Sequence, residues 1–420
     1  MLSMLFSGIY SIADGIFVGH FIGADALAAV NLAMPLIMIS FALSDMVAVG
    51  SSVQIAMLLG EKENDEANRT FSVCVKVIVA ISVAVGVFFF FVTKPILVLM
   101  GAEGQALQLS LEYIRVFAVF APVTIIYFAL DNYLRICGRQ NYSMIMNIAT
   151  AVLNILLDFL LIVVWEQGIW AAAFASCISI AVGTLTALVP FFRKSVELRF
   201  VRGTIPKHSF FKLVANGASE FFANIAGSVF MFILNIVLLA IGGATAVAAM
   251  SVVMYVESVM GMVLFGMCDS MQPPISYCYG AGLQKRVFAL EKRVLVAAAA
   301  FSIAAFLFLR FSGEWVVPLF VKAEDTELME LSIHAMSLYA FSYLVNWVDG
   351  CLSMYLTALG QAARSFILSM LGTLGFPLLG LAVLVPTLGI DGVCLMPLMA
   401  GILSGAVAVV LAVTIKHPEK

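Results

Sequence analysis

Residues 142–165 read YSMIMNIATAVLNILLDFLLIVVW, 24 positions with one charged side chain, Asp158, before Glu166 closes the run. A stretch of that length crosses the hydrocarbon of a bilayer as a helix. A carboxylate placed inside it costs at least ~2.5–3.5 kcal/mol on insertion scales, so Asp158 is expected to face protein or water and to have a function. One turn before it stands Asn154, on the same helical face, whose amide can donate to or accept from a carboxyl group.

The rest of the chain is built in the same way. Its 420 residues are 63% hydrophobic and 11% charged, with a mean hydropathy of +1.09, which excludes an ordinary soluble domain. Apolar segments bounded by charge or by Gly and Pro fall at about 1–22, 27–59, 71–93, 107–134, 141–165, 168–192, 213–241, 245–279, 287–311, 328–359, 365–386 and 389–415. The expected fold is therefore an all-α polytopic membrane protein of twelve transmembrane helices. With no Lys or Arg before Lys62, the front of the chain lacks the basic region of a cleaved signal peptide, so 1–22 is expected to be a retained helix. The seven cysteines (74, 137, 177, 268, 278, 351, 394) stand singly in apolar surroundings without metal-ligand spacing and are read as small packing residues.

Two halves repeat. Leu27-Ala-Ala-Val and Val247-Ala-Ala-Met lie 220 residues apart, as do Gly60 and Gly280; Gly138 and Gly360 differ by 222, and Gly168-Ile169 and Gly389-Ile390 by 221. An even helix number per copy gives both copies one orientation, a parallel repeat of two six-helix lobes about an axis along the membrane normal. The expected division is an N-lobe 1–192, a cytoplasmic linker 193–212 and a C-lobe 213–420.

The acids in or beside the segments are Asp14, Asp45, Asp131, Asp158, Glu220, Glu257, Asp269 and Asp349. Asp131 stands four residues before Arg135, where an i,i+4 ion pair accounts for it. Asp45, midway along its helix, and Asp269, just before Pro273-Pro274, are left without a role. Asp14 has no basic residue within 40 positions, so a proton or a metal cation is its natural partner. Asp158 is alike in having no basic residue within its own apolar run.

Tyr10-Ser-Ile-Ala-Asp14-Gly-Ile-Phe-Val-Gly19, followed by Gly23, Leu27-Ala28-Ala29 and Pro35, resembles the first-helix signature of the multidrug and toxic compound extrusion (MATE) transporters. Asn154-Ile-Leu-Leu-Asp158 resembles their fifth-helix motif, and the bacterial DinF-like branch is the most similar. The resemblance implies a V-shaped pair of lobes that exports organic, mostly cationic drugs in exchange for H+ or Na+, with no cofactor and no nucleic-acid partner. It implies a multi-pass monomer of the bacterial cytoplasmic membrane. It makes Asp14 and Asp158 the coupling carboxylates, or the ligands of Na+ if that is the ion, with Asn154 and Tyr113 in their hydrogen-bond network. Ser176 stands where that network often has Thr. Glu220 and Asp349 resemble C-lobe acids of another branch; they and Glu257, which no motif supports, are the candidate substrate-binding acids. Thirteen residues precede Asp14, fewer than is usual in the family, so either an N-terminally shortened form or a misassigned start is expected.

Two rival functions are weaker. A lipid-linked oligosaccharide flippase of the same superfamily would need Arg or Lys inside its cavity for pyrophosphate, and basic residues are nearly absent from the apolar segments. An intramembrane enzyme would need a nucleophile or metal motif, and the chain has no HExxH or GxSxG; His20, His208 and His417 fall in loops or the tail and His334 near a helix start.

Of the 22 Lys and Arg residues, 18 fall at loops on one side and only Lys94, Arg115, Arg310 and Lys322 on the other. The positive-inside rule then puts both termini and the linker in the cytoplasm. A cysteine introduced at Ser195 is expected to escape an impermeant maleimide in intact cells and to label after permeabilisation; labelling in intact cells would reverse the topology.

Overall fold

The computed structural model describes residues 13–99, 102–321 and 325–415. They are helical almost throughout, in twelve long segments, α1 (Ala13–Ile22), α2 (Ala24–Gly60), α3 (Asn64–Leu99), α4 (Gly104–Ile136), α5 (Gln140–Val164) and α6 (Ile169–Phe192), then α7 (207–242), α8 (244–280), α9 (Gln284–Phe311), α10 (Thr326–Ala358), α11 (Ala362–Leu388) and α12 (Ile390–Val413), with a short helical piece at 313–319 between α9 and α10. Residues 1–12 of the expected first helix, and Lys420, lie outside the described residues.

The number twelve depends on two breaks. Residues 207–280 run on as one helix except at Gly243, where φ of 63° makes a turn that L side chains rarely adopt, and α7 ends there. Within α10 the axis bends by 44° at Val345 between Leu344 and Asn346. Counted by length and apolarity alone, nine of the described helices cross a membrane, or ten with the bent pair; the break at Gly243 and the short α1 account for the other two segments. Helices extend past the apolar runs: α3 begins at Asn64 and α7 at Lys207, because Arg69 and Lys212 are good helix residues once outside the hydrocarbon and Asp65, in the first turn of α3, complements the helix dipole.

The backbone carries the repeat more plainly than the side chains do. Left-handed residues recur at Gly23 and Gly243, at Lys62 and Gly282, and at Gly138 and Gly360, offsets of 220, 220 and 222. At the last two of these places the turns match, with φ of 64° and 71° and of 71° and 67°, although one copy uses Lys62 where the other uses Gly282.

Burial is inverted relative to a soluble protein. Ala171, Ala172, Ala173 and Ala175 of α6 are wholly buried, whereas Phe91, Leu99 and Phe232 are each more than two-thirds exposed. Lipid is as apolar as Leu, so large side chains gain nothing by turning inward, and small ones let helices approach.

The chain divides into two compact units, residues 2–217 and 218–420. In the first, α4 packs on α2, α3 and α6. Its core has an end around Val18, Tyr113, Leu161 and Ile169 and another around Phe71, Tyr133, Phe191 and Leu198. Residues 193–206 lie over this second end rather than spanning free: Leu198 is fully buried, the Arg199 and Val201 amides donate to Asn68 Oδ1 (2.6 Å) and Ser72 Oγ (2.8 Å), and Arg139 donates to the Ser195 carbonyl (2.8 Å). In the second unit α11 and α10 pack on α12, and α9 packs on α10. His334 Nε2 meets Asp391 Oδ1 at 2.9 Å between α10 and α12, and the thiols of Cys268 and Cys351 touch at 3.0 Å.

Where α2 meets the start of α7, the backbones are in contact. A Cβ at Gly50 would lie 2.0 Å from the Leu213 carbonyl oxygen, and one at Gly217 would lie 1.8 Å from that of Met46. Gly217→Leu is expected to cost about 1–3 kcal/mol by overpacking and to lower the melting temperature in detergent. Gly350→Ala, where a Cβ meets nothing within 4 Å, is expected to leave it unchanged. Equal melting of both variants would contradict the close crossing.

Candidate functional site

Asp14 lies in the first turns of α1, with 6% of its surface exposed, and Asp158 lies near the end of α5 with none. Each is followed by a widened, π-helical turn: Val18–Ile22, three residues beyond Asp14, and Phe159–Val164, directly after Asp158. Such turns expose or shift backbone groups in otherwise regular helices and are concentrated at functional sites. The two π-helical turns pack on each other, so the acids occupy one region of the first unit, within electrostatic reach of each other.

Their surroundings are apolar. Phe17, Val18, Leu157, Leu161 and Tyr113 belong to one packed cluster, and Tyr113 is 99% buried, with its ring 5.3 Å from that of Phe117. Asn154, buried beneath Asp158, donates through Nδ2 to Ser176 Oγ on α6 at 3.1 Å. Among the described residues, both carboxyl oxygens of Asp158, Oδ1 of Asp14 and Oδ1 of Asn154 are buried without a hydrogen-bond partner. Native interiors rarely tolerate that, since each such group loses its water and gains nothing in return. Four acceptors left open at one place can hold a proton, a cation or water.

The structure thus brings together Asp14, Asp158, Asn154, Ser176 and Tyr113. The second unit's acids have separate settings. Glu220, half-buried on α7, accepts at its backbone carbonyl from Asn224 Nδ2 (3.1 Å). Glu257 on α8 sits beside Tyr339 and Tyr343 of α10, whose Tyr343 hydroxyl reaches the Glu257 carbonyl oxygen at 3.5 Å. Asp349 on α10 lies against Gly372 of α11, where a Cβ would meet its Oδ2 at 2.5 Å, in the third π-helical turn, Leu371–Gly375. Asp131 makes the expected pair with Arg135 (3.4 Å) and also accepts from Ser143 (2.5 Å) and Asn147 (2.9 Å).

Reading the sequence acid by acid missed Tyr127, Asn147 and Thr150. A signal was there: Ser143, Asn147, Thr150, Asn154 and Asp158 recur every three or four positions, one polar stripe on an otherwise apolar helix.

Comparison with known proteins identifies what the chain as a whole is similar to. The family model described as MatE matches residues 1–160 and 221–382. The chain is 25% identical over 375 residues to the multidrug export protein MepA of Staphylococcus saprophyticus, covering 88% of this chain and 82% of that one. It is 26% identical over 386 residues to MepA of Staphylococcus aureus strain MSSA476, covering 90% and 84%. Among solved structures, an outward-facing conformation of a multidrug resistance MATE family transporter of the MOP superfamily superposes with a TM-score of 0.89 at 24% identity, over 98% of this chain and 92% of that one.

Ser176 meets Asn154 through its hydroxyl, so Ser176→Thr is expected to keep transport within about twofold, whereas Ser176→Val removes the acceptor for the Asn154 amide, a bond worth about 1 kcal/mol, and should lower it severalfold. Dye accumulation in cells expressing each variant at equal levels checks this; parity of Ser176→Val with the parent would remove Ser176 from the site.

Proposed function

The chain belongs to the MATE family, and on that premise we propose that it is a secondary active antiporter of the bacterial plasma membrane that exports multiple small organic compounds, mostly cations, in exchange for H+ or Na+. The name of its MepA relatives supports the export of drugs. The coupling assignment is carried by one observation: Asp14 and Asp158 lie buried in one packed region with carboxyl oxygens that no described group satisfies. Drug binding alone would not explain two acids where a charge is expensive.

In this reading the N-lobe, residues 1–192, holds the ion site; 193–212 is a cytoplasmic linker; and the C-lobe, 213–420, supplies Glu220, Asp349 and Glu257 as the negative groups that attract a cationic substrate. The protein acts as a monomer with both termini in the cytoplasm. An ion arriving from outside neutralises Asp14 and Asp158. The π-helical turns beside both acids give the backbone freedom to shift, and the substrate is held less tightly in the resulting outward-open state. Coupling consists of the difference in affinity of the two states for ion and substrate, and binding of each therefore weakens the other.

Asp14→Asn and Asp158→Asn preserve side-chain size and hydrogen bonding but cannot gain or lose a proton. Each is expected to express at the parental level and to abolish gradient-driven export, and the double variant should be no worse than either single one if the pair acts as a unit. Ethidium export from energised cells measures this. Parental pumping by the Asn variants would reduce the two acids to a helix-pinning network.

A further inference from the structure

The polar stripe on α5 continues away from Asp158 toward the end of the first unit that carries Arg135, Arg139 and residues 193–206. From Asp158 to Ser143 it descends 15 residues, roughly 22 Å along a helix. Three features of this descent differ from ordinary helix pinning. First, Tyr127 of α4 faces it: its hydroxyl donates to Asn147 Oδ1 at 2.7 Å and lies 3.5 Å from Thr150 Oγ1. The Asn147 amide in turn donates to Asp131 Oδ1 at 2.9 Å, so one side chain joins the tyrosine to the carboxylate. Second, α6 has a glycine where these groups meet. A Cβ at Gly183 would lie 2.6 Å from both Thr150 Oγ1 and the Tyr127 ring. Third, the line is open between Tyr127 and Asn154: a cavity of about 40 Å³ is lined by Tyr127, Asn147, Thr150, Asn154, Ser176 and Ser179, among others. That volume holds roughly two or three waters, and the lining offers each of them several polar partners.

We propose that this stripe is the route by which the coupling proton travels between Asp158 and the cytoplasmic end of the N-lobe, with Tyr127 as its hydroxyl relay, Asp131 as its terminal acceptor and Asn147 as the positioning residue between them. The proposal rests on the reading of Asp14 and Asp158 as the coupling pair, and it fixes the ion as H+. The proton leaves the Asp158 carboxyl, which becomes a carboxylate. Water held by Thr150, Ser176 and Ser179 takes it. Tyr127 Oη accepts that proton while giving up its own, so the hydroxyl is unchanged after the transfer. Asn147, bonded to both, holds Tyr127 and Asp131 on one line; when its amide turns aside, water joins the hydroxyl to the Asp131 carboxylate. Asp131, with its side chain 15% exposed, then passes the proton to the solvent at the α4–α5 end. Arg135, 3.4 Å from its other oxygen, pairs with the carboxylate left behind. Intramembrane acids form proton relays in pumps and transporters, and here a hydroxyl and a cavity large enough for water lie between two of them.

The test uses purified full-length protein in liposomes with a pH-sensitive dye trapped on the side of the 193–206 segment and ethidium as the exported probe. Tyr127→Phe and Thr150→Val keep shape and remove the relay hydroxyls, and Asn147→Leu removes the positioning amide. In each, proton delivery and ethidium exchange should slow by about tenfold or more, ethidium affinity should stay within about twofold of the parent, and the solvent deuterium isotope effect on the rate should rise as proton transfer becomes limiting. Two hydroxyl variants are used so that one misfolded protein does not decide the outcome. Parental rates and isotope effects in Tyr127→Phe and Thr150→Val would overturn the route, as would loss of ethidium binding in step with rate, the mark of a structural role. Exchange driven by a Na+ gradient with no proton reaching the dye would overturn it too. Asp158→Asn run alongside separates the two claims: a dead Asp158→Asn beside parental relay variants rejects the route alone, whereas a fully active Asp158→Asn rejects the coupling pair beneath it.

Discussion

An acid inside a bilayer must have a partner, a proton or water, and in the first unit that requirement bears on almost every position around Asp14 and Asp158. Insertion of each carboxylate costs several times the thermal energy, so a helix keeps one only where packing or function requires it. Packing does not require these: among the described residues, carboxyl oxygens of both acids have no hydrogen-bond partner and neither acid forms an ion pair. The groups closest to them serve the same requirement. Asn154, tied to Ser176, offers its open Oδ1; the two π-helical turns free local backbone; and the apolar cluster around Tyr113 keeps bulk water from satisfying the acids cheaply.

The scaffold meets a second requirement, close approach of helices without a hydrophobic driving force. Alanines line the buried face of α6, and the Gly50–Gly217 crossing brings carbonyl oxygens within reach of facing glycines. Gly183 serves packing and the polar stripe together, since the space left by its missing side chain is filled by Thr150 and Tyr127. Asp349 and Gly372 repeat the device in the second unit, again at a π-helical turn. Small residues therefore admit polar side chains into places that larger residues would have sealed.

The apolar runs made the helices legible in the sequence, and the isolation of Asp14 and Asp158 from any basic neighbour made them stand out before any fold was known. The repeat was legible only faintly through side chains such as Leu27-Ala-Ala-Val; it is clearer in the left-handed backbone at Lys62 and Gly282, where different residues adopt one turn. Other features depended on distance along the chain. The break at Gly243 sits in a Gly-Gly pair that hydropathy reads as continuous, and the bend at Val345 has no Gly or Pro beside it. Residues 193–206 look like a solvated basic linker, yet Leu198 and Phe200 attach them to Phe71, 127 or more positions earlier. Asp131 was legible as half of an ion pair; its bond to Asn147, and through that to Tyr127, required α4 and α5 to be set side by side.

The central claim is that one acid pair exchanges its ion for substrate. Calorimetric titration of the purified protein with ethidium, at one pH in buffers of different ionisation enthalpy and with and without Na+, tests it without a membrane gradient. Linkage requires binding of the cation to displace the coupling ion. The heat should depend on the buffer if a proton is displaced, or the affinity on Na+ if that ion is, and both dependences should vanish in Asp14→Asn and Asp158→Asn. Ethidium binding indifferent to buffer and Na+ in the parent, or equally sensitive in the Asn variants, would contradict the account.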